Sequence, residues 1–335
     1  MIDLKVITSK IQSIDRDPWM KKELAIGFDV GGTHIRGAIV SHDGCVLERF
    51  RRQTPTGGHP DLLIPILVDC TTVFRKQYDV LSGIGIGAPG PLRAGEGIVS
   101  HMPNLEGWRD FALQDTLSRE TGLPVVLIND ADAGAIGEHL AGAARDCPLF
   151  AYLTLGTGLG SAIVSRGKVW TGSRGFSNEW GHIPVFPDSG VCSCGHPGHA
   201  EAFLSTRFIL NEYGLEAMGG SPAGISSPVT VSDVFDRDRT GDKVAAGIID
   251  RYGSALGRLI ATIAIALDVD WFILGGGISA SCDRLMPLIM EAIRWWGFPP
   301  LTDGLTIRRG ALGDDAGLIG AASLVMHRKI RDSSS

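Results

Sequence analysis

The sequence predicts an α/β protein of two lobes, each built on a mixed sheet flanked by helices. The chain has 335 residues, which is more than one hydrophobic core usually holds. A strand, a glycine-rich turn and a returning strand occur in residues 24–40 and again in residues 151–165. Further strands end in glycines that precede helices, which is how α/β proteins commonly present ligands. The repetition indicates two related lobes.

The individual elements follow from apolar runs and from the turn residues between them. The turn at His42-Asp43-Gly44 predicts a hairpin between the second and third strands. We expect strands over residues 24–30, 35–40, 46–52, 83–87, 125–128, 151–155, 161–165, 169–170 and 271–274. We expect helices over residues 62–78, 131–141, 252–267 and 316–329, followed by a frayed tail. Residues 1–22 form an N-terminal extension, either a helical arm or a sign that the true start is Met20.

The composition is that of a packed globular enzyme, with 44% hydrophobic and 20% charged residues. A net charge of −6 and an isoelectric point near 5.8 argue against a nucleic-acid surface. No segment approaches the ~18 to 20 apolar residues that a membrane span needs, and the N-terminus lacks a signal-peptide core. We therefore expect a cytoplasmic protein without a membrane partner, in which the six cysteines are thiols or metal ligands.

Two glycine-rich turns are candidates for binding phosphate. The residues concerned are Asp29, Gly31, Gly32 and Thr33 in the first turn and Gly156, Thr157 and Gly158 in the second. Glycines allow backbone N–H groups to approach a phosphate, and Asp29 can position Mg²⁺ or a water in its shell. One such turn alone is better explained as a tight hairpin, but two on separate lobes can hold a polyphosphate from both sides. Neither matches a P-loop or a dinucleotide fingerprint.

The pair Asn129-Asp130 is the candidate catalytic centre. A hydroxyl that attacks a γ-phosphate needs a carboxylate to orient it and accept its proton. An adjacent amide suits sugar recognition, because it both donates to and accepts from hydroxyls. Two alternatives remain on spacing alone: Asp130 is equally suited to cap a helix, and Asp132 is a second carboxylate that competes for the role of base.

A short stretch rich in cysteine and histidine is a candidate metal site. His182, Cys192, Cys194 and His199 supply the four nitrogen and sulfur ligands that zinc takes in structural sites. The Cys-x-Cys spacing is tighter than in ordinary zinc fingers. The alternative is therefore a pair of ordinary thiols.

Together these motifs resemble the ROK family (repressors, open reading frames, sugar kinases) of the actin-like ATPase superfamily. The resemblance covers nearly the whole chain from about Leu24. It rests on Gly27-x-Asp29-x-Gly31-Gly32-Thr33, Gly87-x-Pro89-Gly90, Asn104 through Trp108, Asn129-Asp130-Ala131, Gly156-Thr157-Gly158-x-Gly160, Glu179-x-Gly181-His182, Cys192-x-Cys194-Gly195-x-x-Gly198, Leu274-Gly275-Gly276-Gly277 and Ala316-Gly317-x-x-Gly320-Ala321-Ala322.

The resemblance implies an actin-like ATPase (ribonuclease H-like) fold whose two lobes close over sugar and ATP, and phosphorylation of a hexose hydroxyl, usually that on C6. Asp130 matches the family's base. The positions that match sugar contacts are Gly90, Asn104, Asn129, Asp130, Glu179, His182 and Glu201. Asp29, Gly31, Gly32, Thr33, Gly156, Thr157 and Gly158 match phosphate and Mg²⁺ positions, and Gly276 and Gly277 match the nucleoside side. His182 would ligate zinc through one ring nitrogen and meet the sugar through the other.

The resemblance also divides the chain into parts. Residues 23–128 with a C-terminal helix at 315–330 form a small lobe. Residues 129–314 form a large lobe that carries the zinc loop and nucleotide-binding elements. A homodimer is expected from the resemblance alone.

The sequence departs from the family pattern at three places. His199 replaces the family's third cysteine, so we expect zinc on His182, Cys192, Cys194 and His199, with His196 as an alternative ligand. Asp132 stands where an asparagine is usual, and its charge would raise the pKa of Asp130. Ser177-Asn178 replaces the usual Ala-Gly before Glu179, a change that we expect to alter how Glu179 contacts the sugar.

The substrate stays open among glucose, allose, fructose, mannose and the N-acetylated hexosamines. Glu179 favours glucose-like sugars, because family kinases for N-acetylmannosamine can hold another residue there. A sugar-sensing repressor or a catalytically inactive sugar-binding protein is the rival from another class. The roughly twenty residues before the first strand are too few for a DNA-binding domain, and they are not basic.

Overall fold

The structure, a computed structural model, describes residues 23–102, 105–176, 178–186, 190–217 and 229–332. These residues divide into two compact units. The first comprises the described residues up to Arg145, Thr171–Phe176 and the segment from Asp314 onward. The second comprises Asp146–Trp170 and the described part of Ser177–Gly313. The N-terminal extension expected over residues 1–22 lies outside the described residues.

Strands and helices alternate along both units. In chain order the strands are β1 Leu24–Val30, β2 His34–Ser41, β3 Val46–Gln53, β4 Ile84–Ala88, β5 Leu92–Arg93, β6 Ile98–His101, β7 Arg109–Phe111, β8 Val125–Asn129, β9 Leu149–Leu155, β10 Leu159–Ser165, β11 Lys168–Val169, β12 Trp271–Gly275 and β13 Thr306–Arg309. The α-helices are α1 Pro60–Gln77, α2 Leu113–Thr121, α3 Asp130–Ala141, α4 Thr206–Ala217, α5 Val231–Arg239, α6 Lys243–Leu267, α7 Cys282–Trp296, α8 Pro299–Thr302 and α9 Ala316–Asp332. Short 3₁₀ turns lie at Ala94–Glu96, Trp180–His182, Ala200–Ala202, Gly277–Ser281 and Gly313–Asp315.

The first unit is built on a five-stranded mixed sheet in the order β3-β2-β1-β4-β8. β1 pairs antiparallel with β2 and parallel with β4, which in turn runs parallel to β8. The strands β5, β6 and β7 form a separate three-stranded sheet. The core around Phe28, Leu67, Phe74 and Trp108 is fully or almost fully buried, as the apolar runs in the sequence require.

The second unit repeats the topology of the first. Its sheet has the order β11-β10-β9-β12-β13, with the same sequence of antiparallel and parallel pairings. Helices α6 and α7 pack together over this sheet around Tyr252, Leu256, Phe272 and Ile289. The relation between two glycine-turn copies that the sequence predicts is therefore confirmed at the level of whole sheets.

Helix α3 lies in the first unit, whereas the predicted division at residue 128 assigned it to the second. The cause is its close packing against the C-terminal helix α9. A Cβ atom on Gly320 would lie 1.8 Å from the carbonyl oxygen of Ala133, and one on Gly137 would lie 2.1 Å from that of Ala316. Two helices can approach this closely only where side chains are absent at the contact.

The predicted strands are found with end shifts of one or two residues, but several helices were longer or were missed. Helix α6 begins at Lys243 rather than at residue 252, because Asp242 caps it by accepting from the backbone N–H groups of Val244 and Ala245 at 2.9 and 3.2 Å. Helices α2, α4, α5, α7 and α8 and strands β5, β6, β7 and β13 were not predicted. Arg331 and Asp332 belong to α9 rather than to a frayed tail. Among the described residues, no helix is both long enough and apolar enough to span a membrane.

Candidate active site and metal cluster

In the first unit, polar residues gather at one edge of the sheet. Asp29 pairs with Gly87 in the parallel register of β1 and β4, and Ala88 pairs with Asn129 in that of β4 and β8. Parallel strands end at the same edge, so Asp29, the turn at Gly90 and the start of α3 come together there. Gly90 adopts a φ of 88°, a conformation that glycine takes without strain.

The structure decides which residue caps α3. The Asn129 side chain accepts from the backbone N–H groups of Ala131 at 2.9 Å and Asp132 at 3.2 Å, so Asn129 is the N-cap. Asp130 is the first helical residue, and the capping alternative for it was wrong. Its carboxylate is half-buried and accepts from Ala131 N–H at 2.9 Å. Desolvation raises the pKa of Asp130, while hydrogen bonds from the backbone and from the Asn129 amide act in the opposite direction.

Asp29 forms the second carboxylate of this edge. Burial raises its pKa to about 6, and the negative charge of Asp130 adds to the rise. The guanidinium of Arg36 lies 3.5 Å from the carboxylate of Asp29 and 3.4 Å from that of Asp314, and its positive charge lowers the pKa of Asp29. Two desolvated carboxylates that repel one another fit a divalent cation, because hard cations such as Mg²⁺ take carboxylate oxygens.

Hydrogen bonds from a threonine stabilise the glycine turn between β1 and β2. Thr54 Oγ1 donates to the carbonyl of Gly31 at 2.6 Å, and Thr54 N–H donates to that of Thr33 at 2.9 Å. Gly32 and Thr33 themselves are exposed to solvent. The carbonyl groups of Gly31 and Thr33 are therefore hydrogen-bonded within the protein, whereas the exposed tip of the turn can contact an anion.

The equivalent turn in the second unit is held in the same way. Thr206 donates to the carbonyl of Gly156 with both its backbone N–H, at 2.8 Å, and its hydroxyl, at 2.9 Å. Gly156 N–H also donates to the carbonyl of Gly158 at 3.0 Å. Neither Thr54 nor Thr206 was predicted, because each is distant in sequence from the turn that it supports.

A second glycine segment lies beside this turn. Gly275 pairs with Thr154 in the parallel register of β12 and β9. Gly276 has a φ of 77°, and a Cβ atom on it would lie 2.4 Å from the carbonyl oxygen of Leu155. Gly277 opens the 3₁₀ turn that leads into α7, and a side chain there would meet open space. The two strand ends thus present adjacent glycine backbones, as nucleotide-binding α/β edges do.

Four side chains of the second unit form a cluster suited to a metal ion. The ligand atoms of His182, Cys192, Cys194 and His199 all lie within 4.8 Å of one another. Cys192 Sγ is 3.5 Å from His182 Nδ1, and Cys194 Sγ is 3.2 Å from His199 Nδ1. Zinc bonds of about 2.0 to 2.3 Å in a tetrahedron separate ligand atoms by about 3.3 to 3.8 Å. The donor set and its spacing fit zinc.

The alternative ligand His196 lies at the margin of this cluster. Its Nδ1 is 3.7 Å from Cys194 Sγ, and its ring stacks on that of His199 with centroids 5.6 Å apart. Desolvation opposes ionisation of Cys194, but hydrogen bonds from His196, Cys192 and His199 lower its pKa to about 6. Because the thiolate is the form of cysteine that binds a metal, a lowered pKa suits Cys194 to be a ligand.

Two carboxylates adjoin the metal cluster. Glu179 Oε2 is 3.9 Å from Nε2 of His182, on the opposite side of the ring from the cluster. Glu201 accepts from Ser193 Oγ at 2.5 Å and from Cys192 Sγ at 3.3 Å through one oxygen. Through the other it accepts from Leu159 N–H at 3.2 Å. Glu201 therefore joins the metal loop to the glycine turn.

Two residues singled out in the sequence, Asn104 and Ser177, lie outside the described residues. Ser193 contacts Cys192 and Glu201 but was not predicted, whereas Asn178 was singled out with Ser177 as a departure from the family pattern. The first lies between two predicted ligands, and the second immediately precedes Glu179.

Comparisons with known proteins identify the family of the chain. The model of the ROK family matches residues 25–328. A glucokinase from Halalkalibacterium halodurans is 34% identical over 315 residues, covering 91% of this chain and 95% of its own length. An N-acetylmannosamine kinase from Yersinia pseudotuberculosis is 31% identical over 304 residues, covering 90% and 98%.

Solved structures share the fold. A ROK family glucokinase from Streptomyces griseus, crystallised in complex with glucose and AMPPNP, superimposes with a TM-score of 0.80 at 30% sequence identity. The match covers 91% of this chain and 99% of that one. The predicted actin-like ATPase fold with mixed sheets is confirmed.

Proposed function

This chain belongs to the ROK family and is an ATP-dependent sugar kinase, and we propose that it phosphorylates the C6 hydroxyl of glucose or a closely related hexose with Asp130 as the general base. The observation that carries the proposal is the carboxylate of Asp130. It is desolvated, it stands at the first turn of α3, and the Asn129 amide holds it. A carboxylate with a raised pKa accepts a proton more readily than an ordinary one.

The reaction follows from that placement. The sugar hydroxyl oxygen attacks the γ-phosphorus, its proton passes to a carboxylate oxygen of Asp130, and the bond to the β-phosphate oxygen breaks to release ADP. Asn129 is the first choice for orienting the sugar, because its amide nitrogen can donate to a hydroxyl while its oxygen caps α3. Glu179, His182, Glu201, Gly90 and Asn104 complete the proposed sugar contacts.

The phosphates of ATP are assigned to the two glycine turns. Gly31, Gly32 and Thr33 in one turn and Gly156, Thr157 and Gly158 in the other offer N–H and hydroxyl donors. Gly276 and Gly277 lie on the nucleoside side. Asp29 is the proposed anchor for Mg²⁺, which when bound would neutralise phosphoryl charge. Without the cation, burial raises the pKa of both Asp29 and Asp130, and the charge of Asp130 raises that of Asp29 further.

The second unit is proposed to hold a structural zinc ion on His182, Cys192, Cys194 and His199. When bound, zinc would order the loop that carries Glu201. His182 directs Nδ1 toward Cys192 and Nε2 toward Glu179. One ring thereby serves both the metal and the proposed sugar contact.

Glucose is preferred to N-acetylmannosamine on two grounds. Glu179 is the carboxylate that the resemblance associates with glucose-like substrates. The glucokinase from H. halodurans is also somewhat more similar in sequence than the N-acetylmannosamine kinase, at 34% against 31% identity.

The test is a coupled assay of ADP release with Mg-ATP against glucose, mannose, fructose, allose and the N-acetylated hexosamines. We expect the highest kcat/KM for glucose. The phosphorylated product is then identified by NMR as the 6-phosphate. Preference for an N-acetylated sugar, or phosphate on another carbon, would overturn the substrate assignment. Full turnover by an Asp130→Asn variant would overturn the base.

A further inference from the structure

Asn178 adopts a backbone conformation that few residue types tolerate. Its φ is 70°, in the left-handed region, and its side chain is buried, with 8% exposed. Among the described residues only Asp110, Arg166 and Asp268 share a positive φ without being glycine. Asparagine is the side chain best suited to this region after glycine, because its short amide bonds locally. The residue type therefore matches the backbone that the loop requires.

The side chain of Asn178 is anchored to the neighbouring hairpin. Its Nδ2 donates to the carbonyl of Trp170 at 2.6 Å, at the end of β11. Trp170 itself is fixed to the sheet, because its N–H donates to the carbonyl of Ile163 at 2.8 Å. Through this amide the loop that contains Asn178 is tied to the edge of the second sheet.

The backbone of Asn178 is held from the other side. Its carbonyl accepts from Ser161 Oγ in a short hydrogen bond and from Trp180 N–H at 2.8 Å. Ser161 Oγ in turn accepts from Trp180 N–H at 3.2 Å. These bonds set the direction in which the chain enters the 3₁₀ turn Trp180–His182. Glu179 lies between the anchored Asn178 and that turn. The backbone that carries the Glu179 side chain is therefore held on both sides.

We propose that Asn178 is a positioning residue for sugar recognition, which aims Glu179 by combining a left-handed backbone with the amide anchor on Trp170. The inference rests on the proposed function, in which Glu179 contacts the sugar. A glycine would accept the same φ but would lose the anchor. An aspartate would accept it less easily and would set a carboxylate against the Trp170 carbonyl.

The variants Asn178→Gly and Asn178→Asp separate the anchor from the backbone. Losing one buried hydrogen bond to the loop should raise the KM for glucose about 3- to 10-fold in the glycine variant. Aspartate should raise the KM for glucose at least as much, since its carboxylate would repel the Trp170 carbonyl to which the amide donates. The KM for ATP should stay within about twofold of wild type, and kcat should fall less than the KM rises. Glucose affinity measured by calorimetry without ATP should weaken by the same factor as the KM.

Asp268→Gly is the matched control. Asp268 is the C-cap of α6 in the same unit and has a φ of 53°, so this variant removes a side chain from a left-handed position outside the proposed sugar contacts. It should leave the KM for glucose unchanged. Glu179→Gln, measured in parallel, tests the premise and should raise that KM by itself.

Unchanged glucose affinity in both Asn178 variants, while Glu179→Gln weakens it, would overturn the positioning role and leave the proposed function standing. Unchanged affinity in Glu179→Gln would remove the sugar contact itself and the inference with it. A parallel rise of both KM values with a fall in Tm would also overturn the role, because general loosening of the fold would then explain the effect.

Discussion

The carboxylate of Glu201 accepts a hydrogen bond from the backbone N–H of Leu159 at 3.2 Å. The two residues lie 42 positions apart in the chain, one after the metal-binding loop and the other at the start of β10, directly after the second glycine turn. A Cβ atom on neighbouring Gly158 would lie 2.4 Å from the same carboxylate oxygen, so the glycine is what admits Glu201 to this position. The metal loop and the glycine turn thus share one side chain.

The first prediction concerns Ser193, whose hydroxyl donates to the other oxygen of Glu201. Ser193→Ala removes this charge-assisted hydrogen bond and leaves Glu201 with the hydrogen bonds from Leu159 N–H and Cys192 Sγ. We expect the KM for the sugar to rise about 3- to 10-fold, as loss of one such bond implies. Zinc content should not change, because Ser193 is not among the four clustered ligands. Ser193→Thr keeps the hydroxyl and should restore most of the affinity; equal effects of Ala and Thr would rule out the hydroxyl as the cause.

The second prediction separates two carboxylates of α3. Asp130→Asn should lower kcat by about 10² to 10⁴-fold with little change in Tm or sugar affinity, because the amide cannot accept the proton. Asp132→Asn is the control and should lower kcat less than about tenfold. Stopped-flow or steady-state kinetics on both variants decides the matter. A larger loss in Asp132→Asn would move the base two residues along the helix.

The third prediction uses the pKa of Asp29, which burial raises to about 6. The folded state then binds a proton more tightly than the unfolded chain, so ionisation of Asp29 costs stability as pH rises from about 4 to above 6. Asp29→Asn should therefore raise the free energy of unfolding at pH 7.5 by about 1 to 2 kcal/mol, less than the ~3 kcal/mol of the full shift because the carboxylate is 26% exposed.

That gain should vanish near pH 4, where wild-type Asp29 is protonated as well. Denaturant titrations at the two pH values, without Mg²⁺, measure it. The same variant should lose activity. Equal stability of wild type and variant at pH 7.5 would show that the carboxylate is not strained in the folded state.

The fourth prediction concerns the metal. Elemental analysis after exhaustive dialysis should find about one zinc per chain. His199→Ala should lower that content, whereas His196→Ala should keep it, because only His199 belongs to the group of four. Chelation should lower the Tm of wild type and have less effect on His199→Ala. Zinc lost equally from both variants would place His196 among the ligands.

The fifth prediction tests the packing of α3 against α9. Gly320→Ala would put a methyl 1.8 Å from the Ala133 carbonyl oxygen, so we expect a loss of about 3 kcal/mol or more. Gly317→Ala in the same helix meets nothing within 4 Å. It should be neutral or stabilise by up to ~1 kcal/mol, since alanine favours helix. Equal stability of the two variants would contradict the close helix contact.

The strands and glycine turns were predictable because their signals are local. An apolar run that ends in Asp29, or one that ends in Gly156, is visible within ten residues of sequence. Helix α6 was predicted too short, because its cap, Asp242, looks like any loop aspartate. Helix α3 was assigned to the wrong unit, since packing against a helix almost two hundred residues later leaves no local trace.

At the candidate site, the sequence identified the residue types, and the structure showed which of these residues contact one another. The order Asn129-Asp130 allows either residue to cap a helix, and only the hydrogen bonds to Ala131 and Asp132 show that Asn129 does. Thr54 and Thr206 support glycine turns from a distance in sequence. No pattern could reveal them.

What the sequence alone determined was the fold class, the two related glycine turns and the chemistry available at each. These depend on backbone preferences and on residue types that act over a few positions. Only the tertiary structure decided which ligands cluster, which carboxylates repel one another, and that Glu201 reaches Leu159. Those relations depend on distances between segments far apart in the chain. They are fixed by the pairing of strands and the close packing of helices, which local sequence does not encode.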